Sequence, residues 1–338
     1  MIGLTPPVEG GSQRHIYEIS SRIDCNVLTQ KNSICKNKIE LPIIKLNNFL
    51  INLSFFLSCL FYSIKLLIIK KYDIIHIHEN LLYLIAPILR LRYKVIITIH
   101  GISGFKFYDI KFLWFFFKQG LKSADRIISV SLSDKNLLEN EFGNINYLPN
   151  GVDVSGYEKI KVKIQKKITF IGRIHEQKGI LYLLKAFWQI KSKIPEYKLE
   201  IIGKPNPYSI ELQKRFADKK IIWKGYIGDR DNLIRNLKSS FCIVLPSLWE
   251  GLPLTLFESL ASSRPVIISD IPAFKSVIKN QALFFKTKKP EDLAEKLFSL
   301  IKNRKKAEEL GKQGKILAKK YDWGQIADKT EKLYKNEK

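Results

Sequence analysis

Cysteine is scarce in this chain of 338 residues. Cys25, Cys35, Cys59 and Cys242 are the only four, with no C-x-x-C pair and no metal-ligand spacing. That argues against a disulfide framework or a zinc ribbon and reads as reduced thiols in a cytosolic protein. Negative charge is also short. Asp and Glu total 32 against 57 Lys and Arg, a formal net charge of +25. The opening MIGLTPPVEGG lacks the charged-then-apolar pattern of a secretory signal. Only Phe49–Ile69 reaches the roughly 20 apolar residues a bilayer span needs, and Asn52, three serines and Lys65 interrupt it. Its flank runs straight into a buried-strand pattern, so a core or interfacial helix is expected there and not a span.

The composition is globular, at 46% hydrophobic and 26% charged residues, and the length exceeds what one hydrophobic core fills, so two domains are expected. The basic excess is spread along the chain. It favours anionic partners: nucleic acid, nucleotide phosphates or an anionic membrane surface. No recognition helix, zinc finger or RNP-type aromatic stretch is present, which weighs against nucleic acid as a partner.

Apolar runs of strand length alternate with helical stretches, the signature of parallel α/β sheets. In the first half they lie near Val27 and at Asp73–His78, Val95–His100, Arg126–Ser131 and Ile145–Pro149. In the second half they are Ile168–Gly172, Leu199–Gly203, Ile221–Gly225, Phe241–Ser247 and Pro265–Ser269. A polar, lysine-rich stretch from Asp153 to Lys166 separates the two series and reads as a linker. The expected fold is α/β, with two Rossmann-like doubly wound parallel-sheet domains facing a cleft. The expected segments are 1–155, 156–320 and a last amphipathic helix over 321–338. Ligands of such sheets bind at the carboxyl ends of strands.

The most informative segment is Leu245–Asp270, LPSLWEGLPLTLFESLASSRPVIISD. It reads as a buried strand, a tight turn carrying Glu250 and Gly251, a helix entered at Pro253, and a second buried strand. Proline costs no hydrogen bond at a helix start, and the backbone donors there, with the helix dipole, attract an anion. Glu250 and Glu258 bracket that anion site. Eight residues of helix rise about 12 Å, enough for contacts at the two ends of an elongated ligand such as a nucleotide sugar. Each glutamate by itself could equally be a solvated charge.

Arg173 follows the strand ending in Ile171-Gly172, and Lys178 lies five residues on. Two cations there suit a diphosphate and the charge that grows as it leaves, although surface lysines abound in this chain. Gly10 and Gly11 follow the first strand, where glycine permits close backbone approach to a ligand; a plain turn would explain them too. His76, His78 and His100 end strands. Alternate histidines share a face and could ligate a metal, but no third ligand is evident, and His76 reads as a satisfied histidine of the sheet. His15 and His175 receive no role.

Taken together, these motifs resemble the retaining GT-B glycosyltransferases of family 4, the group 1 glycosyl transferases, whose hallmark is two glutamates separated by seven residues. The resemblance runs over nearly the whole chain. It implies a retaining transfer of a sugar from a nucleoside-diphosphate sugar to a hydroxyl acceptor, with no metal and no cofactor beyond the donor. It further implies that Arg173 and Lys178 bind the diphosphate, Glu250 and His100 contact the donor sugar, and Glu258 accepts from the ribose. The backbone of Gly251, Leu252, Pro253, Leu254 and Thr255 would meet the phosphates, Gly10 and Gly11 would line the donor site, and the C-terminal helix would cross back to the N-terminal domain. The acceptor implied is a glycan or a lipid-linked glycan, in cell-surface polysaccharide or glycolipid synthesis. Two departures stand out: a first strand of only MIGLT before Pro6, and IPAFKSVI after Asp270, where relatives commonly carry glycines and a glutamate.

The stretch from Phe105 to Lys122 mixes aromatics with lysines. It reads either as an apolar helix packed on the sheet or as an interfacial helix. With the net charge, it suggests a cytoplasmic protein in peripheral contact with an anionic membrane. Two other classes stay open on sequence alone: a basic nucleic-acid-binding protein, and a catalytically silent nucleotide-sugar binder.

Overall fold

The structure, a computed structural model, describes residues 1–8, 10–44, 48–69, 71–101 and 111–336, without the side chains of 48, 49 and 111–113. It divides into two compact units: Met1–Gly151 with Trp323–Lys338, and Val152–Asp322. Both are α/β, and every strand pairing is parallel.

Unit one runs through α1 (Gly11–Ser20), β1 (Val27–Gln30), β2 (Lys38–Leu41), α2 (Asn48–Ile68) and β3 (Ile74–Ile77). A 3-10 turn at Asn80–Ile85 leads into α3 (Ala86–Arg90), then β4 (Lys94–Ile99), α4 (Lys111–Lys122), β5 (Arg126–Ser129), α5 (Leu132–Phe142) and β6 (Ile145–Tyr147). The strands stand in the order β3-β4-β5-β6, and β1 pairs with β2. Ile2 joins the two sets by bridging Leu28 and Ile77. The strand expected at MIGLT is therefore reduced to a bridge. Ile2 N–H donates to the His76 carbonyl at 2.8 Å, but Pro6 and Pro7 follow closely, and proline cannot donate to a ladder.

The two-residue period of strands decides which side chains meet which helices. Ile75 and Ile77 of β3 and Val95, Ile97 and Ile99 of β4 pack in one core with Phe55, Cys59 and Leu66 of α2. The intervening positions put His76, Thr98, His78 and His100 on the opposite face.

Unit two continues with α6 (Val154–Lys159), β7 (Lys167–Ile171), a 3-10 turn at Glu176–Lys178, α7 (Ile180–Ile190), β8 (Lys198–Ile202) and α8 (Pro207–Arg215). Then come β9 (Ile221–Gly225), α9 (Arg230–Lys238), β10 (Cys242–Leu245), α10 (Leu254–Ala261), β11 (Val266–Ser269), α11 (Pro272–Lys275), β12 (Leu283–Phe285), α12 (Pro290–Lys302) and α13 (Arg304–Lys319). The final helix, α14 (Trp323–Lys335), belongs to unit one and packs on α1. The six strands stand in the order β12-β11-β10-β7-β8-β9, with an apolar core on each face. The stretch read as a linker from Asp153 is partly helical. Asp153 caps α6 by accepting from the Gly156 N–H at 3.2 Å, and Val154 and Tyr157 are buried.

Candidate functional site

In unit two the chain moves from β7 outward through β8 and β9, then returns to the other side of β7 with β10. The carboxyl ends of β7 and β10 therefore flank a topological switch point, where open α/β sheets bind ligands. Arg173 and Lys178 stand in the loop after β7, and Glu250 in the loop after β10.

Those two loops touch. Gly179 has φ +64°, and a Cβ on it would lie 1.8 Å from the Pro246 carbonyl oxygen; only glycine fits that approach without displacement. The closeness sets Lys178 Nζ 2.5 Å from Glu250 Oε1, with both side chains about nine-tenths buried. Ser247, also buried, donates its hydroxyl to the same carboxylate oxygen at 2.8 Å. Gln177 ties the loops together further: its side-chain amide donates to the Trp249 carbonyl at 3.0 Å, and its carbonyl accepts from the Leu248 N–H at 2.8 Å. Arg173 is exposed, and its guanidinium donates to the Gln177 side-chain oxygen at 3.2 Å. His175, unassigned from sequence, accepts from the Gln177 N–H at 3.1 Å and so shapes the turn that carries Lys178.

Gly251 and the buried Leu252 lead to Pro253, which is the N-cap of α10, so the helix opens at Leu254, one residue later than the sequence suggests. Leu254 and Thr255 form its first turn, where backbone N–H groups have no intrahelical acceptor. Glu258 sits mid-helix and pairs with Arg230, the first residue of α9. Arg230 also lies over the Tyr157 ring, 5.6 Å from its centroid. Beyond β11, Asp270 accepts from the Thr287 N–H and hydroxyl at 2.9 and 2.6 Å. Those bonds, chiefly the hydroxyl's, hold its carboxyl below the usual range. Lys275, one of the departures noted above, pairs with it at 3.5 Å.

In unit one, Gly10 is the N-cap of α1 and Gly11 its first residue, with open space where a Gly11 Cβ would project. His100 follows β4, and its Nε2 lies 3.2 Å from Nδ1 of His78. His15 of α1 packs edge-on against His100, ring centroids 4.9 Å apart, and edge-on against Trp323. Its Nδ1 is 2.9 Å from the Asn150 side-chain oxygen. His76 bridges Tyr334 and Thr98 at 2.5 and 2.6 Å. Four imidazoles thus share one face of the sheet. Burial pushes His15 down to about 4, against the opposing Asn150 bond, and holds His76, His78 and His100 well below the ordinary range. They are neutral at pH 7. Nε2 of His78 and Nδ1 of His100 are buried without a hydrogen-bond partner, which marks them as groups a ligand could satisfy. Among the described residues no cluster of three or more His, Cys, Asp or Glu is placed to hold a metal.

Next to this cluster, Glu79 accepts from Gln13 and Ser12 at 3.0 and 3.4 Å. Burial lifts its carboxyl to about 7 against those bonds.

Sequence reasoning did not single out Ser247, Arg230 or Glu79. Ser247 was findable, three residues before Glu250 on the same strand end. Arg230 was not, because its partner lies 28 residues away and no spacing links them.

Comparisons with known proteins match these two units in turn. Residues 10–155 match the family described as Glycosyltransferase Family 4, and residues 158–317 match Glycosyl transferases group 1. A curated relative, the UDP-Gal:alpha-D-GlcNAc-diphosphoundecaprenol alpha-1,3-galactosyltransferase of Escherichia coli, is 28% identical over 247 residues. The match covers 64% of this chain and 62% of that one, so it spans less than two thirds of the relative's length. Two solved structures superpose on nearly the whole chain. Sucrose-phosphate synthase from Thermosynechococcus elongatus has a TM-score of 0.80 at 19% identity, covering 99% of this chain and 95% of its own. Anabaena Alr3699/HepE in complex with UDP and glucose has a TM-score of 0.80 at 14% identity, covering 99% and 98%. At those identities the likeness to the solved structures is one of fold.

Proposed function

The chain belongs to the GT-B glycosyltransferases of family 4 (glycosyl transferases group 1), and from that premise we propose that it moves a sugar from a nucleoside-diphosphate sugar to a hydroxyl of a glycan acceptor, with retention at the anomeric carbon. The observation that carries the reading is the Lys178–Glu250–Ser247 arrangement at the switch point of unit two, with Arg173 beside it and Glu258 on the following helix. A donor there would place its diphosphate against Lys178, Arg173 and the start of α10, and its ribose at Glu258. A fixed ammonium in a water-poor site stabilises the charge that develops on a departing diphosphate, at no reorganisation cost during reaction. Ser247 and Lys178 both hold Glu250 in one orientation, so its carboxylate can receive sugar hydroxyls in a set geometry. In unit one, the neutral His100 with its unpartnered Nδ1 is suited to a hydroxyl-rich ligand. No cofactor beyond the donor is part of this reading.

A lipid-linked acceptor, in glycolipid or polysaccharide synthesis, is proposed from the Escherichia coli relative, whose name specifies a diphosphoundecaprenol-linked sugar. The test is transfer by purified protein from labelled UDP-, GDP- and ADP-sugars to a sugar-diphosphoprenol acceptor, with the product linkage read by NMR. A product that keeps the donor's anomeric configuration is expected. An inverted product would overturn retention, and no transfer from any donor would overturn the activity.

A further inference from the structure

Helix α2 is apolar on both sides, yet only one side is covered. Phe55, Cys59, Ser63 and Leu66 are buried, the three apolar ones in one core with the strands of unit one. Leu53, Leu57, Phe61, Ile64 and Ile68 recur at steps of four, four, three and four residues and form a second stripe that is exposed, with Phe61 at 79% and Ile68 at 77%. The stripe runs about 22 Å along the helix. A helix hydrophobic all round is ordinarily buried in protein or in lipid. Leu91, at the end of α3, and Phe115 and Phe116, on α4, are exposed too. Both α2 and α4 pack against the Asn80–Arg90 segment, so these side chains belong to one helical layer, on the sheet face opposite the histidines.

Charge says what covers that layer. From Leu41 to Tyr72 the chain has no acidic residue, and its charged residues are Lys45, Lys65, Lys70 and Lys71. The charges of α4 are likewise all lysines: Lys111, Lys118, which pairs with Glu141, and Lys122. A second copy of this chain, itself at +25, would bring lysine against lysine. An acidic bilayer surface offers an apolar interior to the stripe and phosphates to the lysines.

Among the described residues, Leu50–Ile68 is also the one segment long and apolar enough to cross a bilayer, but the sheet forbids crossing. The strands on either side of α2 are joined, because β2 pairs with β1, and Ile2 bridges β1 to β3. Both ends of α2 must therefore stay on one side.

We propose that the Leu53–Ile68 stripe of α2 is a docking face that lies in the interface of an anionic bilayer. The sequence left Phe105–Lys122 open between a packed and an interfacial helix and Phe49–Ile69 between a core and an interfacial one; residues 105–110 lie outside the described residues, and α2 carries the longer stripe. The inference needs no assumption about glycosyl transfer, and it is tested without donor or acceptor. The 338-residue chain is co-sedimented with phosphatidylcholine vesicles with and without phosphatidylglycerol, alongside the Phe61→Glu/Ile64→Glu and Leu57→Gln/Ile68→Gln variants. Melting temperature and far-UV circular dichroism check that each variant is folded.

Wild type is expected to sediment with the anionic vesicles, less so at raised salt. Both variants should lose about tenfold or more in partitioning with folding intact. Unchanged partitioning of the folded variants would overturn the proposal. So would a wild-type dimer that the substitutions convert to monomer while neither form binds vesicles. If one double variant does not fold, the other decides.

Discussion

Lys178 Nζ and Glu250 Oε1 are 2.5 Å apart across 72 residues of chain, and the contact exists because Gly179 lets the loop after β7 press against the Pro246 carbonyl. Breaking a buried ion pair from one side leaves an uncompensated charge. Lys178→Ala is therefore expected to cost about 3 kcal/mol of stability and to lower turnover about a hundredfold. The double variant Lys178→Met/Glu250→Gln should regain most of the stability and none of the turnover. Urea denaturation and initial rates separate the two effects; recovery of activity in the double variant would contradict the assignment.

Gly179 itself gives a second prediction. At φ +64°, with the Pro246 carbonyl in the way of any Cβ, Gly179→Ala meets both a left-handed backbone and a clash. Backbone strain of this kind costs about 1–3 kcal/mol. The expected result is a lowered melting temperature together with weaker donor binding, because the displaced loop carries Lys178. A melting temperature equal to wild type would mean that the loops do not meet as described.

Glu258 and Arg230 form a third test. A hydrogen bond to a charged group is worth about 1.5–3 kcal/mol, so Glu258→Ala should weaken donor binding about ten- to a hundredfold. Arg230→Ala, which frees the carboxylate and gives up the contact with the Tyr157 ring, should have a smaller effect on donor binding. Equal losses in both variants would assign Arg230 a direct contact with the donor.

The pH dependence of unit one has two opposed parts. His15 titrates near 4 in the folded state against 6.5 unfolded, so the unfolded chain binds the proton first on acidification. The stability His15 gives is complete above about 6.5 and is lost as pH falls toward 4. Glu79 titrates near 7 against 4.5, so its contribution is complete below 4.5 and is lost as pH rises through 7. Glu79→Gln removes the second part. Relative to wild type, that variant should gain about 3 kcal/mol between pH 4.5 and pH 8, read as the difference between two denaturation series. A difference that does not change with pH would place Glu79 in solvent.

How much of this was legible in the sequence depended on whether a signal was local. The Glu-Gly-Leu-Pro turn, with Glu258 eight residues beyond Glu250, and the ten apolar runs can each be read within one window, and the structure has a strand at every one of those runs. β2 and β12 were missed. β12 is three residues long, and β2 is a largely exposed edge with Lys38 and Glu40 between its apolar positions. The partnership of Lys178 with Glu250 was beyond sequence spacing, since it rests on strand order. α2 was ambiguous for a different reason: its two apolar faces have nearly equal composition, and only the packing tells the covered side from the open one.

Calorimetric titration tests most directly whether the switch point of unit two is a nucleotide-sugar site. UDP-, GDP- and ADP-sugars are titrated into wild type and into Arg173→Ala and Glu258→Ala. One donor class should bind wild type at a single site, and each substitution should weaken that binding about tenfold or more while each variant still melts cooperatively as a folded protein in the absence of donor. Binding of equal strength in all three proteins, or no binding of any nucleotide sugar to wild type, would contradict it.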